Sequence, residues 1–367
     1  MRGRRPEGKR EHGGRRVRVV LAAGLALLAV GGCTELPYYA QAVGGHLAIM
    51  RARVPIETLL ADPATDPVLR GRLARVQEAR RFALSELGLP DNGSYRAYVA
   101  LDREAVTWNV YATPEFSLEP RRWCFPAVGC VAYRGYFAES AARAYASELA
   151  AQGWDVYVAP ASAYSSLGWF EDPVLSTMLQ RGELSTVGVL FHELAHQRVY
   201  VKGDTAFNES FATAVQRAGV RRWLQARGEA KQLAAYARAL ERRAAFLALL
   251  RETRARLAAI YDRGGAPAQL RAQKRAVLED LRERYRSLAG NWADHAGYDR
   301  WFQGPLNNAR FVPVALYGDL VEDFLGLLER CGGDFRRFYA EVARIGRLPR
   351  AERPTALRRS ACTAPTP

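Results

Sequence analysis

The chain has few of the residues that usually carry metal and redox chemistry, and it has no long apolar run. Its 367 residues include five histidines, five cysteines and three methionines. The apolar stretch from Val19 to Val30 is shorter than the roughly 20 residues that a membrane-spanning helix needs. No internal repeat and no nucleic-acid-binding motif is visible. These absences exclude repeat architectures and polytopic membrane proteins, and they make any clustering of the histidines informative.

Two of the five histidines lie in one short run, His192-Glu193-Leu194-Ala195-His196. Histidines at positions i and i+4 lie one turn apart on the same helix face, so both can reach one ion. Glu193 beside them can take a proton from a zinc-bound water, because zinc lowers the pKa of that water towards neutrality. Glu209 follows thirteen residues after His196 and is the natural third ligand. The pattern predicts the active site of a zinc metallopeptidase.

Helical periodicity supports this interpretation of the run. Apolar residues recur at helical spacing from Leu184 to Ala195, and Lys202-Gly203-Asp204 ends the predicted helix. A second predicted helix, from about Thr205 to Leu224, places Glu209 in its early turns, facing the first helix. The alternative is that His192 and His196 are ordinary core or surface residues. That alternative is disfavoured, because two histidines beside an acid in an apolar run need partners when they are buried.

The same residues carry a family resemblance. His192 to His196 together with Asn208-Glu209-Ser210-Phe211-Ala212 resembles the gluzincin clan of metallopeptidases. The segments 165–173 (SSLGWFEDP) and 304–309 (GPLNNA) resemble the bacterial Putative aminopeptidase family. The resemblance implies an α+β, zincin-like fold and a zinc-dependent peptidase. In it, His192, His196 and Glu209 bind one Zn²⁺ ion and Glu193 is the general base.

Further residues are candidates for contacts with substrate. Gly168 and Trp169 lie in a run that could form an edge strand for an extended peptide, or a plain core strand. Asn307 and Asn308 could hold a peptide backbone, or could cap the following helix. A tetrahedral intermediate at zinc needs a further hydrogen-bond donor. Tyr317 is the candidate for this role, and the two competing residues are Tyr298 and His295.

The amino terminus resembles a bacterial lipoprotein signal peptide. Arg15, Arg16 and Arg18 precede the apolar stretch, and Gly31-Gly32-Cys33 follows it. Cys33 is the predicted lipidated residue, which predicts a lipid-anchored protein of the bacterial cell envelope that faces the periplasm. An uncleaved signal anchor and a simple secreted protein are the alternatives. In an oxidising compartment the four remaining cysteines are disulfide candidates: Cys124 with Cys130, and Cys331 with Cys362.

The positive charge has a simple explanation. Residues 1 to 20 carry eight Lys or Arg and two Asp or Glu, so +6 of the formal net charge of +15 lies there and +9 remains. Much of the remainder lies in arginine-rich helical sequence between Arg217 and Arg300 with little aromatic interleaving. We therefore expect a solvated face or a membrane-surface contact and no nucleic-acid partner.

The predicted organisation is a signal peptide (1–32), an α+β lobe with a small sheet (33–182), the zinc-binding helices (183–227), a helical hairpin insertion (228–290) and a helical carboxyl-terminal region (291–367). The hairpin could cover the site or could be a stabilising arm. The predicted function is hydrolysis of peptides or proteins, most simply by an aminopeptidase. The alternatives are an envelope endopeptidase and a non-catalytic envelope interaction protein stabilised by zinc. The oligomeric state stays open.

Overall fold

The computed structural model describes residues 36–125, 129–163, 170–292, 298–316 and 320–362, with side chains described up to residue 314 in the fourth of these ranges. The chain divides into two units between Ile49 and Met50. Helix α1 (Leu36–Arg51) begins in the first unit and ends in the second.

Helices dominate the second unit. In chain order they are α2 (Ile56–Ala61), α3 (Pro67–Ser85), α4 (Glu139–Ala151), α5 (Ser176–Leu179), α6 (Glu183–Arg198), α7 (Thr205–Ala226), α8 (Ala230–Arg263), α9 (Pro267–Gly290), α10 (Asp299–Phe302), a 3-10 helix (Asn308–Phe311), α11 (Val312–Leu316), α12 (Val321–Arg330), α13 (Phe335–Gly346) and α14 (Arg353–Arg359). The predicted mixed α+β class is confirmed, whereas the zincin-like architecture stays a prediction.

The strands form small sheets. They are β1 (Val54–Pro55), β2 (Ala97–Val99), β3 (Thr107–Pro114), β4 (Trp123–Phe125), β5 (Gly129–Val131), β6 (Arg134–Tyr136), β7 (Trp154–Ala161) and β8 (Val174–Leu175). In the described residues the strand orders are β1-β2-β8, β6-β3-β7 and β4-β5. Strand β2 runs parallel to β8 and antiparallel to β1.

Strand β3 is the centre of the longest sheet. It pairs antiparallel with β6 and β7, and Val110 lies opposite Arg134 on one side and Val158 on the other. Residues 106–108 and 110–113 are buried, which indicates that both faces of this strand are covered. The sheet packs through Tyr111 against Ala309, at the start of the carboxyl-terminal region. A strand early in the chain and a late segment thus share one core cluster.

Helices α6 and α7 pack at a close crossing. A Cβ added at Gly219 of α7 would lie 2.8 Å from a ring carbon of Phe191 and 2.8 Å from a methyl carbon of Leu87. Phe191 is fully buried and lies against Phe82 of α3, with ring centroids 6.3 Å apart. Such a contact is far inside normal carbon–carbon packing distance, so only glycine fits at position 219 without movement. The crossing brings the early turns of α7 next to the last turns of α6.

The long helices α8 and α9 are the two helices that the sequence predicts as a hairpin. They share a hydrophobic core with the segment that follows them. In this core, Phe246 of α8 stacks on Tyr298 of the following segment, with ring centroids 4.0 Å apart. Lys274 of α9 donates a hydrogen bond to Asp155 of β7 at 2.5 Å. A second bridge joins Arg271 of α9 to Glu115 at 2.7 and 2.8 Å. The hairpin is thus fixed to the end of the β3–β7 sheet. The predicted domain boundaries stay predictions.

Two disulfides are present in the described residues. Cys124 bonds to Cys130 across the β4–β5 pair, and Cys331 bonds to Cys362 near the end of the chain. The second disulfide joins the end of α12 to the segment after α14. In the same described ranges, no helix combines the length and the hydropathy that crossing a membrane requires.

Candidate metal centre

Helix α6 presents both histidines. The helix begins after Gly182, whose φ of 87° is a conformation that glycine adopts at little cost. Thr186 at its start donates from its hydroxyl to the carbonyl of Met178 at 3.0 Å. Leu190, Phe191, Leu194 and Ala195 are buried. The burial of this apolar face turns His192 and His196 towards helix α7.

Three side chains from the two helices converge. Nε2 of His192 lies 3.2 Å from Oε2 of Glu209 and 3.1 Å from Nε2 of His196. Nε2 of His196 lies 3.7 Å from Oε1 of Glu209. Among the residues that the structure describes, these three side chains form the group of His, Cys, Asp or Glu residues that could hold a metal ion. Their candidate ligand atoms all lie within 4.8 Å of one another. The predicted trio is therefore brought together in space.

The spacing of these atoms fits a single small cation. Ligand atoms about 2.0–2.1 Å from a tetrahedral ion lie about 3.3 Å from one another. The three separations of 3.1, 3.2 and 3.7 Å lie around that value. Two imidazoles and one carboxylate also match the donors that zinc takes in catalytic sites, which keep the fourth position open. The residues present can thus hold a metal ion at this position.

The electrostatics of the trio favour a cation. Burial by itself would raise the pKa of Glu209, but hydrogen bonds and charge from His192 and His196 outweigh it and hold the pKa well below its usual range. Burial would lower the pKa of His196, but the hydrogen bond and charge of Glu209 raise it overall, with a further contribution from Glu193. A partly buried carboxylate with positive charge beside it is suited to binding a metal ion.

Glu193 lies on the helix turn between the two histidines and is half-buried. Within the described part of the chain, its carboxylate has no hydrogen bond and no ion pair. A carboxylate without a partner, next to a group that can bind a metal, is free to accept a proton. Its position is that of the predicted general base.

Asn208 and Asp204 hold the start of α7, the helix that carries Glu209. Asn208 accepts a hydrogen bond from the N–H of Val201 and donates one to the carbonyl of the same residue, both at 2.8 Å. Asp204 caps the helix by accepting from the N–H of Phe207 at 3.3 Å. Arg353 donates to the other oxygen of Asp204 at 2.5 Å. Sequence reasoning gave no role to Asn208, although an asparagine beside a predicted ligand and four residues after Asp204 was a usable signal.

The predicted asparagines have partners within the protein. The side chain of Asn308 donates to the carbonyls of Glu115 and Ser117 at 2.9 and 3.0 Å, and accepts from the hydroxyl of Tyr261 at 2.9 Å. Asn307 donates to the carbonyl of Val156 at 2.8 Å. These bonds join the carboxyl-terminal region to the sheet and to α8.

The residues predicted to donate a hydrogen bond to a tetrahedral intermediate lie in different parts of the chain. Tyr298 stacks on Phe246, in the core that α8 and α9 share with the segment after them. Five residues with predicted roles lie outside the described residues, so those roles stay predictions: Tyr317, His295, Gly168, Trp169 and Cys33.

Two tyrosines that sequence reasoning missed have pKa values that the negative charge of Glu209 helps to raise. Burial, and after it that charge, raises the pKa of Tyr200; burial, Tyr133 and Glu209 raise the pKa of Tyr111.

Comparison with known proteins gives one match of wide coverage. No curated protein and no solved structure matches the chain. The family described as "Putative aminopeptidase" matches residues 37–357, which are most of the chain and include the metal trio and Glu193. The chain therefore belongs to this family.

Proposed function

We propose that the protein is a zinc-dependent peptidase of the gluzincin type, and specifically an aminopeptidase. The observation that carries the proposal is the convergence of His192, His196 and Glu209 beside the unpaired Glu193. A purely structural zinc site usually closes its fourth position with another ligand and has no need of a base. Here the three candidate ligands lie beside the carboxylate of Glu193, which is the arrangement that metal-assisted hydrolysis requires.

The chemistry divides between the metal and the protein. Bound zinc supplies Lewis acidity and lowers the pKa of a water molecule towards neutrality. Glu193 accepts the proton of the attacking water and then passes it to the amine that leaves. The two histidines and Glu209 keep the ion at a fixed place relative to Glu193. Tyr200 is 40% exposed and its pKa is raised by burial and then by the charge of Glu209, so its protonated hydroxyl is a candidate hydrogen-bond donor to substrate.

Action at a free amino terminus rests on the family and on one acidic side chain. An exopeptidase needs a carboxylate to bind the terminal ammonium group. Asp172 is 1% exposed, whereas the side chain of Glu171 is 66% exposed and lies 3.9 Å from Arg53. Glu171 also packs over Gly93, in a loop that bonds to Gln197 of α6. Glu171 is therefore the acidic group that supports the aminopeptidase assignment.

The proposed location is the periplasmic side of the bacterial cell envelope. The lipobox-like sequence that ends at Cys33 would supply a lipid anchor. The pairing of all four other cysteines in two disulfides supports an oxidising compartment. Labelling with a radioactive fatty acid, compared between the wild type and Cys33→Ser, tests the anchor. Equal labelling of both proteins would disprove it.

The activity is tested with the full chain in detergent and a mixed peptide library analysed by mass spectrometry. Metal content is measured on the same samples. Glu193→Gln should keep its zinc and lose cleavage, because the amide cannot accept the proton. The matched control is Glu183→Gln, at the exposed start of the same helix, which should cleave like the wild type. Products shortened by single residues from the amino terminus would support an aminopeptidase.

The other outcomes identify the alternatives. Internal cuts that are lost in Glu193→Gln would make the protein an endopeptidase with the same catalytic residues. Bound zinc without cleavage by the wild type, together with unfolding on chelation, would support an interaction protein that zinc stabilises. Cleavage that Glu193→Gln retains would disprove the role of Glu193.

A further inference from the structure

A groove lies between the end of α6 and the end of α13. Its volume is about 410 Å³, and it is lined by residues 198–202 and by Ala343, Gly346 and Arg347. A Cβ added at Gly346 would lie 2.7 Å from Cγ2 of Val201, so the glycine allows the two segments to approach each other closely at this point. Sites that hold ligands usually have volumes of about 300–1,000 Å³. The groove is therefore large enough for a ligand group.

The charged residues that line the groove are all cationic. They are Arg198, Lys202 and Arg347, and each of them is exposed. Within the described residues, none of the three side chains has a hydrogen bond or an ion pair. Three unpaired positive charges around one groove attract a ligand of the opposite charge.

Two acidic residues of the segments beside the groove are paired with other arginines. Asp204, just after the lining segment, accepts a hydrogen bond from Arg353 at 2.5 Å and lies 3.7 Å from Arg350. Glu341, on α13, pairs with Arg344 at 2.7 Å. Neither carboxylate is paired with a cation of the groove. The positive charge of the groove is therefore available to an anion from outside the protein.

Stabilisation of helix ends does not account for these cations. Arg198 is the last residue of α6 and Arg347 directly follows α13, where positive charge offsets the partial negative charge of a helix end. This effect is confined to the last turn, and Lys202 lies four residues beyond the end of α6. Arg198 also makes no hydrogen bond to the last carbonyls of α6. Its guanidinium lies over the ring of Tyr339 of α13, 5.6 Å from the ring centroid, which holds its charge beside the groove.

The groove adjoins the two helices that carry the metal trio. Arg198 is two residues after His196, which is about 3 Å along the axis of α6. The N–H of Val201 donates to the side chain of Asn208, which donates in turn to the carbonyl of Val201, both at 2.8 Å. Asn208 immediately precedes Glu209. Because an extended peptide spans about 3.3 Å per residue, a substrate bound at the trio needs only a few further residues to reach the groove.

We propose that this groove binds an acidic segment of the peptide substrate, through ion pairs of peptide carboxylates with Arg198, Lys202 and Arg347. The proposal rests on the proposed function, because it takes the ligand to be the peptide that is cleaved. Tyr200, the candidate hydrogen-bond donor to substrate, lines the same groove. Anionic lipid headgroups offer the same charge, but the position of the groove beside the metal helices favours a peptide. The protein therefore selects peptides with Glu or Asp residues over neutral peptides of the same length.

Binding is measured with the zinc-loaded full chain of Glu193→Gln, so that the bound peptide stays intact. The probe is a fluorescent peptide that contains several glutamates, compared by anisotropy with the same peptide carrying glutamines in their place. The glutamate peptide should bind roughly five- to tenfold more tightly at low salt, because several exposed ion pairs each contribute a little. The preference should shrink at high salt, which screens such pairs. Equal affinity for the two peptides at low salt would overturn the proposal.

The double variant Lys202→Gln with Arg347→Gln removes two of the three charges and leaves the packed Arg198 in place. Its matched control is Lys231→Gln with Arg286→Gln, which has the same net charge. Lys231 of α8 and Arg286 of α9 are exposed and have no ion pair in the described ranges. The groove variant should lose most of the preference for the glutamate peptide, and the control should keep it. An equal preference in the two variants, or a fall in Tm of the groove variant that accounts for its weaker binding, would overturn the proposal.

A second arm replaces the peptide with vesicles of phosphatidylcholine, with and without phosphatidylglycerol. Weaker binding of the groove variant to the anionic vesicles, without a preference between the peptides, would overturn the peptide ligand in favour of a membrane surface. Groove-dependent binding of the glutamate peptide by a protein whose wild type cleaves nothing would keep the binding site and disprove only the proposed function. Cleavage of both peptides by the wild type with equal KM would keep the proposed function and overturn the binding site.

Discussion

Oε2 of Glu209 lies 3.2 Å from Nε2 of His192, although the two residues belong to different helices. This short distance depends on the crossing of α6 and α7, where Gly219 meets Phe191. It also depends on the double hydrogen bond of Asn208 to Val201, which fixes the loop between the helices. The third ligand is therefore positioned by tertiary packing, whereas the two histidines are positioned by one helix alone.

We predict that Glu209→Gln weakens zinc binding at least about 10-fold, because a neutral amide replaces a charged ligand of the ion. Competition against a chromophoric chelator measures the affinity. Glu183→Gln is the control, since Glu183 pairs with Arg75 at the exposed start of α6 and should leave the affinity unchanged. Equal affinity of Glu209→Gln and wild type would remove Glu209 from the ligand set.

We predict that Gly219→Ala lowers the free energy of unfolding by about 1–3 kcal/mol, because the new methyl group overpacks the crossing against the buried Phe191. Zinc affinity should fall with it, since α7 must move away from α6. Urea unfolding and the chelator titration measure the two effects. Gly71→Ala in α3 has open space around the new methyl group and should be neutral or stabilising. A stable Gly219→Ala variant with normal affinity would show that the crossing is not limiting.

The sequence predicted some of these features well and could not predict others. The pair His192 and His196 follows from helix periodicity, and Glu209 from a second periodic segment, because both patterns are local. The crossing at Gly219 could not be predicted, since a helical glycine looks the same whether it faces solvent or Phe191. Nor could the positive φ of Tyr95 be predicted, because the backbone of this residue bonds to Asp172 and Gln77, which are distant in sequence.

The bridge between Glu115 and Arg271 should make stability depend on pH. The hydrogen bond from Arg271 holds the pKa of Glu115 below its ordinary value of 4.5, against a smaller opposing effect of burial. A lowered folded-state pKa contributes stability that is present above the unfolded-state pKa and is lost as the pH falls through the folded-state pKa. Glu115→Gln should therefore be less stable than the wild type at about pH 7, and the difference should shrink below about pH 4.5.

The measurement for this bridge is the free energy of unfolding in urea across that pH range. Glu329→Gln is the control, because Glu329 is exposed and has no ion pair in the described structure. Its difference from the wild type should be small at every pH. A Glu115→Gln difference that stays constant with pH would mean that the bridge acts through packing and not through charge.

Asn308 gives the last prediction, which separates a role in substrate binding from a role in the fold. Its amide is fully buried and bonds to the carbonyls of Glu115 and Ser117 and to the hydroxyl of Tyr261. Asn308→Ala leaves these buried groups without partners, so it should lower the free energy of unfolding by about 1–3 kcal/mol or more.

The matched control for Asn308 is Asn291→Ala. Within the described residues, the exposed side chain of Asn291 donates to the carbonyl of Ser287 at the end of α9, so this substitution should change stability little. Unfolding in urea measures stability, and KM for the best library peptide measures substrate binding. Because the partners of Asn308 belong to the protein itself, we expect lower stability with KM within about twofold of the wild type for the folded fraction. Normal stability with a raised KM would instead make Asn308 a substrate-binding residue, because its side chain would then have to exchange its partners in the protein for the peptide.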